Sequence, residues 1–292
     1  MKSYWSVKVM RSILKNRSIV LLKEENNLAP NLFLIHDGYG KIEAYIELAK
    51  QVNIEFNIWG IIPSDYDSVY PINISIEEIA EKHINTIKNI QSEGPYYLAG
   101  WCAGGIIAYE IARKLVATKN QVDFIAVIDA IPPGLIKEKK ELNIDSEIDF
   151  VRSYLPRQLE INKPNDIKEL WDNVVNNISE SEFQYLLNVF WKNENLKFPF
   201  KKTYVLEILK CINLSRSLEV AQLNYLPKNK LRMPVYHFIA IDGRTLNMKF
   251  WDTYCCENPI YYEVKGNHNS ILKKTNITYI VNKLEALLTS EC

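Results

Sequence analysis

Short unbroken apolar runs alternate along this chain with longer stretches whose apolar residues recur every three or four positions. That alternation predicts strands buried on both faces, separated by amphipathic helices. The predicted strands are Ser18–Leu22, Leu32–Ile35, Phe56–Ile62, Tyr96–Ala99, Val122–Ile128, Val235–Ile241 and Ile260–Val264. Helical spacing covers Ile42–Val52. It returns from Ser75, where Ser75 and Glu78 form a capping-box pair, to about Gln91 before Gly94-Pro95. Further helices run from Ile106 to about Lys119 and from Thr275 to Leu288. Residues 135–232 differ: they are charged, poor in glycine and free of strand-like runs, with helical patterns at Ile148–Tyr154, Asp166–Val175, Glu182–Trp191 and Lys202–Leu214. A plain crossover needs far fewer residues, so this stretch reads as a helical lid inserted between two late strands. The expected organisation is an α/β core over 1–134 and 233–292 with a lid over 135–232.

One junction carries chemistry. The strand Tyr96–Ala99 runs into Gly100-Trp101-Cys102-Ala103-Gly104-Gly105, and an Ala- and Ile-rich helix begins at once. Gly-x-Cys-x-Gly between strand and helix is the nucleophile elbow of the α/β-hydrolase fold with sulfur in place of oxygen. Such a turn exposes the central side chain above the sheet, and Gly100 and Gly104 let the backbones approach. A cysteine at a helix N-terminus has its thiolate stabilised by free N–H groups. The Ala103 amide is placed to receive an oxyanion. A lone Gly-x-Cys-x-Gly more often marks a buried structural cysteine; the strand before it, the helix after it and the partners below reverse that preference.

Bulk properties narrow the field. Lys and Arg total 35 against 35 Asp and Glu, which excludes recognition of nucleic acid or anionic membrane through net charge. Five cysteines without regular spacing beyond Cys255-Cys256 suggest neither a disulfide framework nor a zinc site, and no metal is expected. No stretch reaches membrane-spanning length and the N-terminus lacks a signal-peptide pattern, so a cytoplasmic location is expected.

Two partners are needed to activate the thiol: a base within hydrogen-bond reach and an acid that fixes the base's tautomer. His268, in the polar loop Lys265-Gly266-Asn267-His268 after the last strand, is the expected base. Two acids compete, Asp129 after Val122–Ile128 and Asp242 after Val235–Ile241, and either could instead be a turn residue. The loop His36-Asp37-Gly38-Tyr39-Gly40 leaves a central strand beside the elbow, where an α/β-hydrolase places its second oxyanion donor. His36 is expected to bond its own loop backbone, His83 to lie on a helix surface or partly buried, and His237 to sit in the sheet.

The segments "LFLIHDGYG", "YYLAGWCAGGIIAYEIARKL", "VIDAIPP" and "GNHNSIL" resemble the thioesterase domains that end nonribosomal peptide and polyketide synthases. In that family the acid follows the strand after the elbow helix and a helical lid enters behind it. The resemblance therefore implies Cys102 as acylated nucleophile, His268 as base and Asp129 rather than Asp242 as acid, with an oxyanion hole formed by the Ala103 amide and an amide near Asp37 or Ile35. Its further implications are a bound cofactor-free enzyme whose acyl or peptidyl chain arrives on the phosphopantetheine of a carrier protein. Basic segments Lys137–Lys140, Lys197–Lys202 and Lys228–Arg232 are candidate contacts for an acidic carrier, or simply solvated surface.

Cys102 stands where most of that family carries serine. An acyl-cysteine keeps the thioester energy that an acyl-serine would lose, so aminolysis, cyclisation or transfer to a hydroxyl becomes as accessible as hydrolysis. A chain without a preceding carrier domain reads either as a free-standing enzyme or as an excised terminal domain. Competing readings are a type II proofreading thioesterase, whose elbow usually has His before the nucleophile, a general cysteine hydrolase of small esters or lactones, and a non-catalytic hydrolase-like binding protein.

Overall fold

The computed structural model describes residues 18–63, 68–138, 140–159, 164–191, 199–243 and 245–290. Lys139 and Lys197 of the basic segments, and the lead-in before residue 18, lie outside the described residues. The described residues form two compact units. The first is built from those within 18–63, 75–137 and 222–290, the second from those within 68–74 and 138–221.

The first unit is a seven-stranded sheet in the order β1-β3-β2-β4-β5-β6-β7. Its strands are β1 (Ile19–Lys23), β2 (Asn31–Ile35), β3 (Asn57–Ile61), β4 (Tyr96–Trp101), β5 (Val122–Ile128), β6 (Tyr236–Ala240) and β7 (Ile260–Val264). Only β1 pairs antiparallel; β3-β2-β4-β5-β6-β7 are all parallel. Leu32, Leu98, Ala99, Phe124 and Ala126 are fully buried, as strands covered by helices on both faces require. With the mostly parallel sheet and the turn after β4, this is an α/β-hydrolase fold.

Helices α1 (Ile46–Gln51), α2 (Ile76–Lys88), α3 (Ala103–Ala117) and α8 (Lys274–Ser290) belong to this unit, with α4–α7 falling in the second. The predicted helix at Ile42–Val52 is a 3₁₀ turn, Glu43–Tyr45, followed by the short α1. The Ser75–Glu78 capping box starts α2, and Ile76, Ile79, Ala80, His83, Ile84 and Ile87 are its buried residues. His83 is thus fully buried, contrary to the expectation of a surface or partly buried position: it shares the apolar helical spacing of its isoleucine neighbours. The buried Glu110 of α3 is held by both Arg113 nitrogens at 2.7 Å and by Tyr225 Oη at 2.5 Å, so its charge is fully partnered.

The second unit has its own core. Helices α4 (Ile144–Tyr154), α5 (Ile167–Asn177), α6 (Glu180–Trp191) and α7 (Lys202–Asn224, which ends in the first unit) bury Val151, Trp171, Val174, Phe183, Leu187 and Ile208 together. Glu147, buried, pairs with Arg216 at 2.7 Å and accepts from Trp171 Nε1 at 3.2 Å. Residues 68–74, which sequence places with the core, join these helices: Asn213 Nδ2 donates to the Val69 carbonyl, and the Ile72 amide to Ser217 Oγ at 2.9 Å.

Candidate active site

The parallel strands end together at one edge of the sheet, where ligands of open α/β sheets bind. Register sets Ile35 beside Gly100 and Trp101 beside Ile128, so the residues that follow β2, β4 and β5 converge there. Cys102 has φ 58° and ψ −128°, a backbone conformation that costs a side-chain-bearing residue of order 1–3 kcal/mol. The bend persists because its surroundings admit nothing else. A Cβ on Gly100 would stand 2.1 Å from the Gly104 carbonyl oxygen, and one on Gly104 would stand 2.4 Å from both the Ile35 and His36 carbonyls. The Cys102 amide is spent on Ile128 O at 3.0 Å. Its side chain is half-exposed at the N-terminus of α3.

Asp129, fully buried, also carries a positive φ of 48°. Its amide donates to Phe238 O at 2.8 Å, and its Oδ1 accepts the Ala240 amide at 3.0 Å, which ties it to β6. Oδ2 lies 2.7 Å from His268 Nδ1. A carboxylate only accepts, so Nδ1 carries the proton and Nε2 is left to meet Cys102, the other side chain hydrogen-bonded to this ring. Burial works against the charged imidazole, but the hydrogen bonds to Asp129 and Cys102 outweigh it and raise His268 to about 9. Asp242, the rival acid, is exposed and does different work: its Oδ2 accepts the Gly266 amide at 2.9 Å, bracing the loop that delivers His268. Cys102, Asp129 and His268 face one cavity of about 610 Å³, whose wall includes Ile131, Gln222, Asp242 and Leu246.

The loop after β2 is held from within. His36 Nδ1 donates to the Asp37 carbonyl at 2.7 Å, the expected bond to its own loop. Burial lowers His36 to about 4, which keeps the ring neutral. Asp37 Oδ1 accepts the Tyr39 and Lys41 amides at 2.8 and 3.0 Å. Burial pushes Asp37 up to about 6 despite those bonds.

The oxyanion donors expected from this loop need correction. The Asp37 amide donates to Lys41 O at 2.8 Å and is not free, and Ile35 is still within β2. Gly38 makes no such bond among the described residues, and a Cβ on it would stand 3.9 Å from that of Ala103. The turn consumes the Asp37 amide because its carboxylate and carbonyl both cap the loop, while Gly38 follows it on the side of the loop that packs by Ala103.

Two contacts escaped the sequence. Tyr45, fully buried, donates its hydroxyl to Ile35 O and accepts the Trp101 amide, both at 2.7 Å, clamping the end of β2 to the elbow. Trp101 stacks on His268, with ring centroids 5.1 Å apart and planes at 29°. His237 is buried in the sheet, as expected. Among the described residues no group of three or more His, Cys, Asp or Glu could hold a metal. No described helix is long and apolar enough to cross a membrane.

Solved structures of similar fold include a four-domain nonribosomal peptide synthetase bound to AMP and glycine. It covers 94% of this chain at 21% identity with a TM-score of 0.68, the match spanning 21% of that chain. The NocB thioesterase domain, solved as a covalent complex with a fluorophosphonate nocardicin G analogue, covers 93% of this chain and 100% of its own at 16% identity and TM-score 0.63. By sequence, a conidial pigment polyketide synthase of Pestalotiopsis fici is 34% identical over 123 residues, 42% of this chain and 6% of the synthase. An inactive atromentin synthetase of Paxillus involutus is 23% identical over 248 residues, 82% of this chain and 25% of that protein. The chain thus spans a small part of the curated relatives it matches. The family model described as "Thioesterase domain" matches residues 30–181, more than half of the chain and the stretch that holds the elbow and Asp129, and the chain belongs to that family.

Proposed function

We propose that this protein is an acyl-transfer enzyme in natural-product biosynthesis, taking an acyl or peptidyl chain from the phosphopantetheine thioester of a carrier protein onto Cys102. The observation that carries the reading is the Asp129–His268 hydrogen bond of 2.7 Å at the cavity that also exposes Cys102. His268 Nε2 takes the thiol proton, and Cys102 Sγ attacks the thioester carbonyl carbon. In this reading the resulting oxyanion is met by the Ala103 amide at the N-terminus of α3, with the Gly38 amide as the second donor. Collapse breaks the bond to the pantetheine sulfur, and His268 returns the proton to it. Asp129 holds the ring in the Nδ1–H tautomer throughout and stabilises the imidazolium.

The second step uses the same groups with an amine, a hydroxyl or water as the nucleophile. Thioester-to-thioester transfer is nearly thermoneutral, so the acyl-enzyme retains the energy for aminolysis or ring closure as well as hydrolysis. The helical unit enters the chain between β5 and β6, a few residues after Asp129, which supports reading it as the helical insertion that the resemblance implies. The test is product identification after incubation with a panel of acyl-pantetheine thioesters and matched simple esters, with and without amine acceptors. Preferential turnover of the thioesters supports the reading; equal or greater turnover of the simple esters refutes it in favour of a general cysteine hydrolase.

A further inference from the structure

The catalytic histidine of the proposed reaction has a third neighbour that neither the elbow chemistry nor the acid accounts for. Asp129 meets His268 at Nδ1, Cys102 meets it at Nε2, and one face of the ring lies over the Trp101 indole, centroid to centroid 5.1 Å at 29°. Asp242 lines the same cavity but is committed to the Gly266 amide. The backbone of Trp101 is anchored: its amide donates to Tyr45 Oη, and its neighbour in register is Ile128 of β5, which sets the residue at the end of β4 beside the nucleophile.

An indole face attracts a cation more strongly than any other side-chain ring does, and within about 6 Å of the centroid the attraction is significant. The same face attracts neutral imidazole less. We propose that Trp101 is a positioning residue that selectively stabilises the imidazolium form of His268, and through it the thiolate of Cys102, by stacking under the ring. The proposal rests on the assignment of Cys102 and His268 given above. Tryptophan directly before the nucleophile then has a function in the acylation step: it enlarges the fraction of enzyme present as the reactive thiolate–imidazolium pair. An apolar residue of similar cover would do the opposite, since burial without a π face disfavours the charge.

The experiment is a titration of the His268 Cε1–H signal by NMR in the full chain. His36, His83 and His237 are fully buried, so the solvent-accessible titrating ring is His268. Fluorinated tryptophans of increasing substitution are placed at position 101, which weakens the face without changing its shape, and Trp101→Phe and Trp101→Leu are measured beside them. The expected result is a midpoint that falls stepwise with fluorination, by about half to one pH unit in Trp101→Leu and by less in Trp101→Phe. The rate of Cys102 alkylation by iodoacetamide near neutral pH should fall in the same order. A midpoint unchanged across the fluorinated series overturns the proposal, even if Trp101→Leu fails to fold. If instead Cys102→Ala leaves the His268 midpoint and line shape unchanged in otherwise unsubstituted protein, the pairing of Cys102 with His268 itself fails, and the two failures are told apart by that one variant.

Discussion

Replacing Asp37 by asparagine should stabilise this protein at neutral and alkaline pH. The Asp37 side chain is 9% exposed, and its Oδ1 accepts the Tyr39 and Lys41 amides. Burial is the dominant influence on it, and the carboxyl rises from 3.8 to about 6. That difference corresponds to about 3 kcal/mol against the charged form at pH 8. The sign follows from linkage. A carboxyl raised in the folded state favours folding while protonated, a contribution complete below about 3.8 and lost as pH climbs through about 6. Asparagine keeps an oxygen for both amides and never ionises, so it should gain about 3 kcal/mol over the parent at pH 8 and about half that at pH 5. Urea unfolding at the two pH values reads the difference directly, as a shift in midpoint at constant slope. A destabilised variant at pH 8, or a gain that does not shrink in acid, would refute the reasoning. The parent chain then spends stability on a rigid loop beside Ala103, a trade common at functional sites.

Three further outcomes follow from the geometry. Asp129→Asn should leave His268 without its carboxylate and in a mixed tautomer, lowering acylation by roughly 10²–10⁴-fold and bringing the His268 midpoint down from about 9, read by single-turnover kinetics and NMR titration. Gly100→Ala places a methyl 2.1 Å from the Gly104 carbonyl oxygen, backbone that cannot rotate aside, and should destabilise by at least about 3 kcal/mol in urea unfolding and abolish Cys102 reactivity. Tyr45→Phe strands Ile35 O and the Trp101 amide and should cost about 2–4 kcal/mol, with a larger fall in kcat than rise in KM because the clamp aligns the two oxyanion segments.

The sheet was legible because its central strands carry short apolar runs without alternation, such as residues 124–128 in β5, which suit a parallel sheet covered on both faces. The elbow was legible because the Gly100 and Gly104 spacing answers a local steric demand. What sequence could not show depends on residues far apart in the chain. His83 lies fully buried because the ring of His36, 5.1 Å away, closes over it from another element. Residues 68–74 join the second unit through Val69 and Ile72 contacts to α7, some 145 positions on. The misassigned Asp37 donor is of a third kind: a motif places the loop, but which amide is free depends on how that loop closes on Lys41.

The central claim is that Cys102 becomes covalently acylated. Intact-mass measurement after brief exposure to an acyl-pantetheine thioester tests it most directly, with the modified residue located by peptide mapping. The expected result is one acyl increment on Cys102, removed on adding an amine and absent in Cys102→Ala. An increment that persists undiminished in Cys102→Ala, or turnover of the thioester by the parent with no such species under any quench, would contradict it.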